Sequence, residues 1–331
     1  MEHRRPGPGD LELPVITFGA WAIGGLFWGG SDDDEAIRAI HAALDHGMDA
    51  VDTAPIYGCG HSEILVGRAI RGRRDHVKIL TKCGLRWDST EGTFFFRFPA
   101  PDGGTVTAHV NVAADSIRHE CEQSLARLAI EAIDLYQVHW PGANAPPDET
   151  MAELMRLRDE GKIRHIGVSN YNRDQLAGMR RCGPVVSNQI KYNLLHREIE
   201  ADPLPFCREN GIGVIAYSPM ALGLLTGRVG MGRAFPDTDV RSRDRWYAPK
   251  NRQRVLNALD QIRPIAETHG ATLAQLAVAW VIAQPGITTA LVGARNAAQV
   301  AENAAAANVR SRPDELSTIR AVFEALGSPL D

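Results

Sequence analysis

Cysteine is scarce in this chain of 331 residues, and neither sign of charge prevails. The five cysteines are Cys59, Cys83, Cys121, Cys182 and Cys207, widely spaced and never in a CxxC pair. They therefore indicate neither a disulfide framework nor a zinc site, and we expect free thiols and no bound metal. Thirty-six Lys and Arg against 40 Asp and Glu give a net charge of −4, without a basic block. Nucleic acid is accordingly not an expected partner.

Long apolar runs are also missing. No stretch reaches the roughly 18 uninterrupted apolar residues of a membrane helix, and the basic N-terminal residues precede no apolar segment. We therefore expect no membrane partner and a cytoplasmic location. The chain nevertheless contains 44% hydrophobic residues, enough apolar material for a sizeable core.

Apolar strand-like runs alternate with helix-period segments along the whole chain. Eight such runs occur, at residues 15–21, 50–54, 77–82, 133–140, 163–170, 184–193, 213–219 and 287–293. Uninterrupted apolar strands that alternate with helices are typical of parallel sheets with right-handed crossovers. The pattern predicts a single α/β domain over residues 1–331, a (β/α)8 TIM barrel with long loops on its C-terminal face.

A doubly wound parallel sheet is the competing architecture. Such a sheet usually carries GxGxxG at its first strand-to-helix turn. Here Gly58-Cys59-Gly60 is followed by Glu63 where the third glycine would fall. The absence of this motif favours the barrel.

Two segments exceed the minimal strand–helix unit. Residues 85–110 follow the third strand and residues 220–250 follow the seventh, which places both on the catalytic face of a barrel. Long connections in compact domains are usually functional. For the aromatic run Phe94 to Phe96, a local packing cluster and a substrate-contacting role both stay open.

Four ionisable side chains fall at or just past the ends of consecutive strands. They are Asp52, Tyr57, Lys82 and His139. Because strand ends of a barrel converge on one mouth, these side chains are expected to meet there. Each alone has an ordinary structural explanation, but their joint placement indicates a catalytic group.

Such a group suits proton transfer from a phenol. A tyrosine has a pKa of about 10, and lowering it by three units takes roughly 4 kcal/mol of phenolate stabilisation. We expect the Lys82 ammonium to supply this while Asp52 holds Lys82 charged, and His139 to donate to the carbonyl oxygen. No tyrosine has a lysine four residues later, as short-chain dehydrogenases require, and no GxSxG motif is present.

Several blocks of the sequence resemble the signature motifs of the aldo-keto reductases. These are Trp21-Ala-Ile-Gly-Gly, Asp52-Thr-Ala-Pro-Ile-Tyr57, Thr81-Lys82, Gln137-Val-His139-Trp140-Pro141, Ile166-Gly-Val-Ser169-Asn170, Asn188-Gln189, Ala216-Tyr217-Ser218-Pro219 and Gly293-Ala-Arg295. The likeness is greatest to a bacterial branch with general aldehyde and ketone reductases and inositol-operon-type relatives. It implies reduction of a small-molecule aldehyde or ketone with hydride from NADP(H) and Tyr57 as general acid.

The resemblance also implies a set of cofactor contacts. Those positions are Trp21, Ser169, Asn170, Gln189, Tyr217, Ser218, Pro219, Leu222, Gly223, Gly293, Arg295, Gln299, Glu302 and Asn303. Ser169, Asn170 and Gln189 would hold the nicotinamide carboxamide, and Tyr217 would stack on the ring. A guanidinium at Arg295 suits the 2′-phosphate of NADP(H), although contact with the adenine alone is the alternative.

Four tryptophans are candidates for the substrate pocket: Trp21, Trp28, Trp87 and Trp140. They predict an aromatic or hydrophobic carbonyl substrate, unless some of them pack under loops.

Two other functions would use the same catalytic and cofactor-binding residues. One is a cofactor-binding regulatory partner, as in channel β-subunits, and the other is a sugar or polyol dehydrogenase working in the oxidative direction. Both a monomer and a homo-oligomer are compatible with the sequence.

Overall fold

The computed structural model describes residues 1–100 and 103–331, and within them eight parallel strands form a closed barrel. The strands are β1 (Ile16–Gly19), β2 (Ala50–Asp52), β3 (Lys78–Cys83), β4 (Ile133–Val138), β5 (Ile163–Ser169), β6 (Ser187–Lys191), β7 (Gly213–Tyr217) and β8 (Ile287–Gly293). They neighbour one another in chain order, and β8 closes the barrel against β1. The predicted (β/α)8 barrel is confirmed.

Helices surround the barrel. They are α1 (Asp33–Asp45), α2 (His61–Ala69), α3 (Ala114–Leu128), α4 (Pro147–Asp159), α5 (Arg173–Cys182), α6 (Leu204–Glu209), α7 (Pro249–Thr268), α8 (Leu273–Ile282), α9 (Ala297–Ala305) and α10 (Pro313–Leu326). N-terminal capping residues stabilise the first turn of several of these helices. Asp32 caps α1 by accepting a hydrogen bond from the backbone N–H of Glu35, and Thr272 with Gln275 forms a capping box on α8.

The barrel interior has an apolar lower layer and a polar upper layer. Because alternate residues of a strand share one face, Ala50, Leu80 and Leu135 sit below Asp52, Lys82 and Gln137 on their strands. The lower residues join one buried cluster with Leu11 and Leu13. Leu13 belongs to a short N-terminal hairpin of His3–Arg4 paired with Leu13–Pro14. Asp52, Lys82 and Gln137 thus lie above this apolar cluster, at the C-terminal mouth of the barrel.

The β3–α3 connection is itself a folded element. Leu85–Arg86, Thr93–Pro99 and Thr105–Val110 form a three-stranded antiparallel sheet, called the flap sheet below. Residues 101 and 102 of this connection lie outside the described residues. The run from Thr93 to Phe98 is rich in β-forming aromatic and branched residues, which explains its strand conformation. The connection predicted as a long loop thus presents an ordered wall to the barrel mouth.

The segment after β7 follows an irregular path through short 3-10 helices at Ala221–Thr226, Val240–Arg243 and Arg245–Tyr247. It lies over the barrel mouth, and the backbone N–H of Val240 bonds to the carbonyl of Phe27 at 3.0 Å.

The five cysteines are free. In the described part of the chain, no helix is long and apolar enough to cross a membrane.

Candidate active site

The four predicted catalytic residues meet at the barrel mouth. Asp52 ends β2 and Lys82 stands on β3 beside it, and the two side chains are 2% and 0% exposed. His139 directly follows β4, and its ring lies edge-on to that of Tyr57 with centroids 5.9 Å apart. The structure therefore brings together all four side chains that the sequence singled out.

The Lys82 ammonium is held by three oxygen atoms. Its Nζ lies 2.6 Å from Asp52 Oδ1, 2.8 Å from the Thr53 carbonyl and 3.3 Å from Tyr57 Oη. An ammonium has three protons to donate, so each of them has an acceptor. This arrangement fixes a positive charge next to the tyrosine hydroxyl.

Two glutamines hold the other oxygen of Asp52. Gln189 Nε2 donates to Asp52 Oδ2 at 2.7 Å, and Gln137 Nε2 lies 3.2 Å from the same atom. Sequence reasoning assigned Gln189 to the cofactor and gave Gln137 no role. The sequence feature that could have identified Gln137 is its position on the inner face of β4, two residues after Leu135. Both amides orient the carboxylate that pairs with Lys82.

Burial changes the pKa values expected for this group. The pKa of Tyr57 is raised above 10.0 because burial outweighs the lowering effect of Lys82. Lys82 does act to lower the pKa, as expected, but burial outweighs it and the Asp52 carboxylate also raises the pKa. The Tyr57 hydroxyl therefore keeps its proton at neutral pH.

The neighbouring basic groups shift in opposite directions. Burial lowers the pKa of Lys82, but the carboxylate of Asp52 and the Tyr57 hydroxyl outweigh it, so the net pKa is raised. Burial, together with the Lys82 charge, holds the pKa of His139 well below 6.5. At neutral pH the site thus contains a charged lysine, an uncharged histidine and an un-ionised tyrosine.

Close backbone packing positions Tyr57. The next residue, Gly58, has φ +65°, and a Cβ atom there would come within 2.2 Å of the Gly24 carbonyl oxygen. Only glycine fits this contact between the β1–α1 and β2–α2 connections. The ring of Trp21 lies 6.1 Å from the Tyr57 ring on the cavity side. The phenol is therefore held between two connections rather than on a free loop.

A cavity of about 660 Å³ extends from Asp52, Tyr57 and His139 to the start of α9. All the predicted cofactor residues line it: Trp21, Ser169, Asn170, Gln189, Tyr217, Ser218, Pro219, Leu222, Gly223, Gly293, Arg295, Gln299, Glu302 and Asn303. Asn170 joins several of them, because its Nδ2 donates to the His139 carbonyl and its Oδ1 accepts from Tyr217 Oη at 3.0 Å. The cavity is in the size range of ligand sites.

Aromatic side chains form the wall near Tyr57. Trp21, Trp28 and Trp140 line the cavity, whereas Trp87 does not and instead lies 5.8 Å from the Arg127 guanidinium. The prediction that Trp87 lines the pocket is therefore wrong, because its half-buried ring packs against the core beside Arg127.

The flap sheet adds aromatic side chains to the cavity wall. The sequence alone had left the role of Phe94 to Phe96 open. Phe95, Phe96 and Phe98 line the cavity, and the Phe95 ring lies 5.0 Å from that of Trp140. Phe94 points away, is 57% exposed and contacts the ring of His109. The run thus combines cavity contact at Phe95 and Phe96 with surface exposure at Phe94.

Arginines dominate the far end of the cavity. Arg295 Nη2 donates to the Trp28 carbonyl at 2.6 Å, and Arg228 forms a bidentate pair with Glu302 at 2.7 and 2.9 Å. Burial and the nearby Arg241 lower the pKa of Arg295, and Arg233 acts in the same direction. Sequence reasoning missed Arg233 and Arg241, because the irregular segment that carries them gave no pattern to place them.

The sequence also matches known proteins along most of its length. Residues 15–324 match the model of the Aldo/keto reductase family. The chain is 40% identical over 303 residues to the aldo-keto reductase YhdN of Bacillus subtilis, covering 91% of this chain and 87% of that protein. It is 36% identical over 326 residues to the NADH-specific methylglyoxal reductase of Escherichia coli, covering 97% and 98%.

Solved structures give the same result. The glycerol dehydrogenase AKR11B4 from Gluconobacter oxydans superposes with a TM-score of 0.88 at 37% identity, covering 99% of this chain and 97% of that one. An aldo/keto reductase from Klebsiella pneumoniae in complex with NADP and acetate superposes with a TM-score of 0.72 at 29% identity, covering 96% and 94%.

Proposed function

Because the chain belongs to the aldo/keto reductase family, oxidoreductases that use a nicotinamide cofactor, we propose that it reduces an aldehyde or ketone to an alcohol with NADP(H). The observation that carries this proposal is the contact of Lys82 Nζ with both Asp52 Oδ1 and Tyr57 Oη at the base of an aromatic cavity. This is an arrangement for giving a proton to a carbonyl oxygen.

Tyr57 is the general acid in this mechanism. Its un-ionised hydroxyl donates a proton to the carbonyl oxygen as negative charge develops there. The resulting phenolate is stabilised by the Lys82 ammonium at 3.3 Å, in a buried site where charge interactions are stronger than in water. Asp52 keeps that ammonium charged and aimed, and Gln137 and Gln189 keep Asp52 in place.

His139 orients the carbonyl. Its ring is uncharged at neutral pH, so it donates a neutral hydrogen bond and does not compete with Tyr57 as a proton source. Its backbone is fixed from two sides, since its N–H bonds to the Cys83 carbonyl at 2.8 Å and its carbonyl accepts from Asn170 Nδ2 at 3.1 Å. A fixed donor stabilises developing charge without reorganisation.

The cavity fits a nicotinamide dinucleotide. One end contains amide and hydroxyl groups from Ser169, Asn170 and Gln189, which suit a carboxamide, with Tyr217 as a stacking surface. The other end contains Arg295 and the start of α9, which suit a phosphate. When bound there, the reduced cofactor supplies hydride to the carbonyl carbon.

The charge at the far end supports NADP(H) over NAD(H). Arg233, Arg241 and Arg295 lie close enough to affect one another, and Asp239, paired with Arg241 at 2.6 Å, is the carboxylate that offsets them. Excess guanidinium charge is what a ribose 2′-phosphate would neutralise. The Escherichia coli relative is named NADH-specific, so membership of the family does not by itself decide between the two cofactors.

Substitution of Tyr57 tests the function. Tyr57→Phe removes the acid and leaves the ring, so we expect kcat for carbonyl reduction to fall by about 100-fold or more while the Kd for NADPH stays within about threefold. Loss of nicotinamide absorbance with a panel of aromatic and aliphatic aldehydes measures turnover, and tryptophan fluorescence measures binding.

Tyr136→Phe is the matched control. Its buried hydroxyl lies 3.4 Å from the Ile117 carbonyl and outside the cavity lining, so activity should be kept. Full activity of Tyr57→Phe would remove Tyr57 from the mechanism. Tight NADPH binding by the unaltered protein without turnover of any carbonyl would instead favour a cofactor-binding regulatory role.

A further inference from the structure

A second cavity opens on the same barrel face, directly beside the first. Six residues line both cavities: Trp21, Tyr217, Ser218, Leu222, Val240 and Arg243. The remaining walls come from the β6–α6 connection, from the short 3-10 helices after Val240 and from the C-terminal segment near Ser328. The second cavity thus adjoins the first along these shared side chains.

Lys191 contributes to this cavity from the last position of β6. Alternate side chains share a face of a strand, so Lys191 stands on the same inner face as Gln189, which contacts Asp52. The strand register places it beside Tyr217. Lys191 therefore lies at the barrel mouth, two residues beyond Gln189 along β6.

Among the described residues, the Lys191 ammonium has no hydrogen-bond or ion-pair partner. Over residues 1–100 and 103–331, it makes no hydrogen bond and no ion pair within 4.0 Å, although its side chain is half-buried. Burial lowers the pKa of Lys191, and the more distant carboxylates Asp244 and Glu198 act against this. A partly desolvated cation without an acceptor gains most from an anionic ligand.

Three other arginines around this cavity are paired: Arg197 with Glu324, Arg320 with Glu200 and Arg245 with Asp331. His196 lies 3.9 Å from Glu198, but burial lowers the pKa of His196, so this contact is not an ion pair at neutral pH. Asp244 accepts a hydrogen bond from the backbone N–H of Trp246 at 2.9 Å.

Arg243 stands between the two cavities. Its guanidinium lies 4.4 Å from the centroid of the Phe98 ring of the flap sheet, and no carboxylate of the described residues is within 4.0 Å of it. Stacking on an aromatic face fixes a guanidinium and leaves its N–H groups free to bind oxygen atoms. Lys191 and Arg243 therefore offer two unpaired cations to one space.

We propose that Lys191 and Arg243 form an anion subsite for the carbonyl substrate, which carries a carboxylate or phosphate group remote from its reacting carbon. This rests on the proposed function, since the reacting carbon is placed at Tyr57. The aromatic wall beside Tyr57 would bind the apolar middle of the molecule. The preferred substrate class is thus an acidic aldehyde or ketone rather than a neutral one.

The test compares 4-carboxybenzaldehyde with its methyl ester. We expect kcat/KM of the unaltered enzyme to favour the acid. Lys191→Gln should lower kcat/KM for the acid by about tenfold or more, through KM, and change the ester by less than about twofold. Lys191→Arg keeps the charge and should keep most of the preference. Equal losses for acid and ester would overturn the proposal.

Two further measurements distinguish an anionic group of the substrate from a phosphate of the cofactor as the partner of Lys191. The Kd for NADPH of Lys191→Gln should stay within about twofold, and a tenfold increase would assign Lys191 to a cofactor phosphate and overturn the proposal. Binding of the two aldehydes to the NADP⁺-loaded protein, followed by tryptophan fluorescence, needs no turnover. A Lys191-dependent preference for the acid without turnover would contradict the proposed reduction and still support the subsite.

Discussion

Lys82 is charged inside the protein because oxygen atoms surround its ammonium group. Burying a charge costs several kcal/mol, and the attraction to Asp52 offsets this only with good geometry and satisfied hydrogen bonds. Both conditions hold, with Asp52 Oδ1 at 2.6 Å and the Thr53 carbonyl at 2.8 Å. A buried ion pair contributes little net stability, so its value here is the field it places on Tyr57.

Arg295 permits a test of cofactor choice at the level of one residue. Arg295→Gln removes a charge from the far end of the cavity, so we expect the Kd for NADPH to rise by about tenfold or more, with NADH changing by less than about twofold. Fluorescence titration with each cofactor measures both constants.

Arg263→Gln is the control for this substitution, because Arg263 is an exposed residue of α7 paired with Asp260 in the same helix. It should leave both constants unchanged. Equal weakening of NADPH and NADH by Arg295→Gln would show that Arg295 does not bind the 2′-phosphate.

At the scale of elements, the two connections after β1 and β2 act as one support for Tyr57. The Gly58 backbone lies directly against the Gly24 carbonyl, which leaves no room for a side chain. In the proposed mechanism, proton transfer depends on the distance between the phenol and the Lys82 ammonium, and small displacements of reacting groups are costly.

Gly58→Ala tests this support. The added Cβ must push the two connections apart, so we expect kcat/KM for carbonyl reduction to fall by about 10- to 100-fold. Gly72→Ala is the matched control: Gly72 has a similar φ of +76°, but nothing lies within 4 Å of its Cβ position. Similar activity in both variants would mean that the Gly24 contact does not position Tyr57.

The flap sheet shows what element-level prediction missed. Its strands pair with each other rather than with the barrel, and the run at 93–98 has aromatic residues on both faces. Without alternation in hydrophobicity, the sequence gave no strand period to detect. The eight barrel strands were predictable because burial on both faces makes each a continuous apolar run.

At the scale of the whole molecule, a second buried ionisable group affects stability. Glu120 on α3 is 3% exposed, and burial raises its pKa to about 8 even though the Gly84 N–H donates to it at 2.8 Å. The folded state therefore holds this proton more tightly than the unfolded chain, whose carboxyl has its ordinary pKa of 4.5. The resulting stability is present below pH 4.5 and is lost as the pH rises through about 8.

Glu120→Gln should reduce this pH dependence. Between pH 6.5 and 8, linkage predicts that the unaltered protein loses roughly 1 to 2 kcal/mol of unfolding free energy that the variant does not lose. Urea unfolding at the two pH values measures the difference. Glu122→Gln is the control, since the pKa of that exposed carboxyl is lowered and does not titrate in this range. Parallel pH profiles for Glu120→Gln and the unaltered protein would show that Glu120 is ionised in the fold.

The sequence by itself predicted the barrel and the four side chains that meet at its mouth. These follow from local pattern: apolar runs define strands, strand ends converge on one mouth, and short motifs mark the loops there. Tertiary structure alone decided what depends on distant neighbours. It placed Trp87 beside Arg127 outside the cavity and raised the pKa of Tyr57 through burial. It also placed Lys191 and Arg243 along one cavity with no ion pair to any described residue. Burial and charge pairing are properties of packed neighbours, and no local pattern contains them.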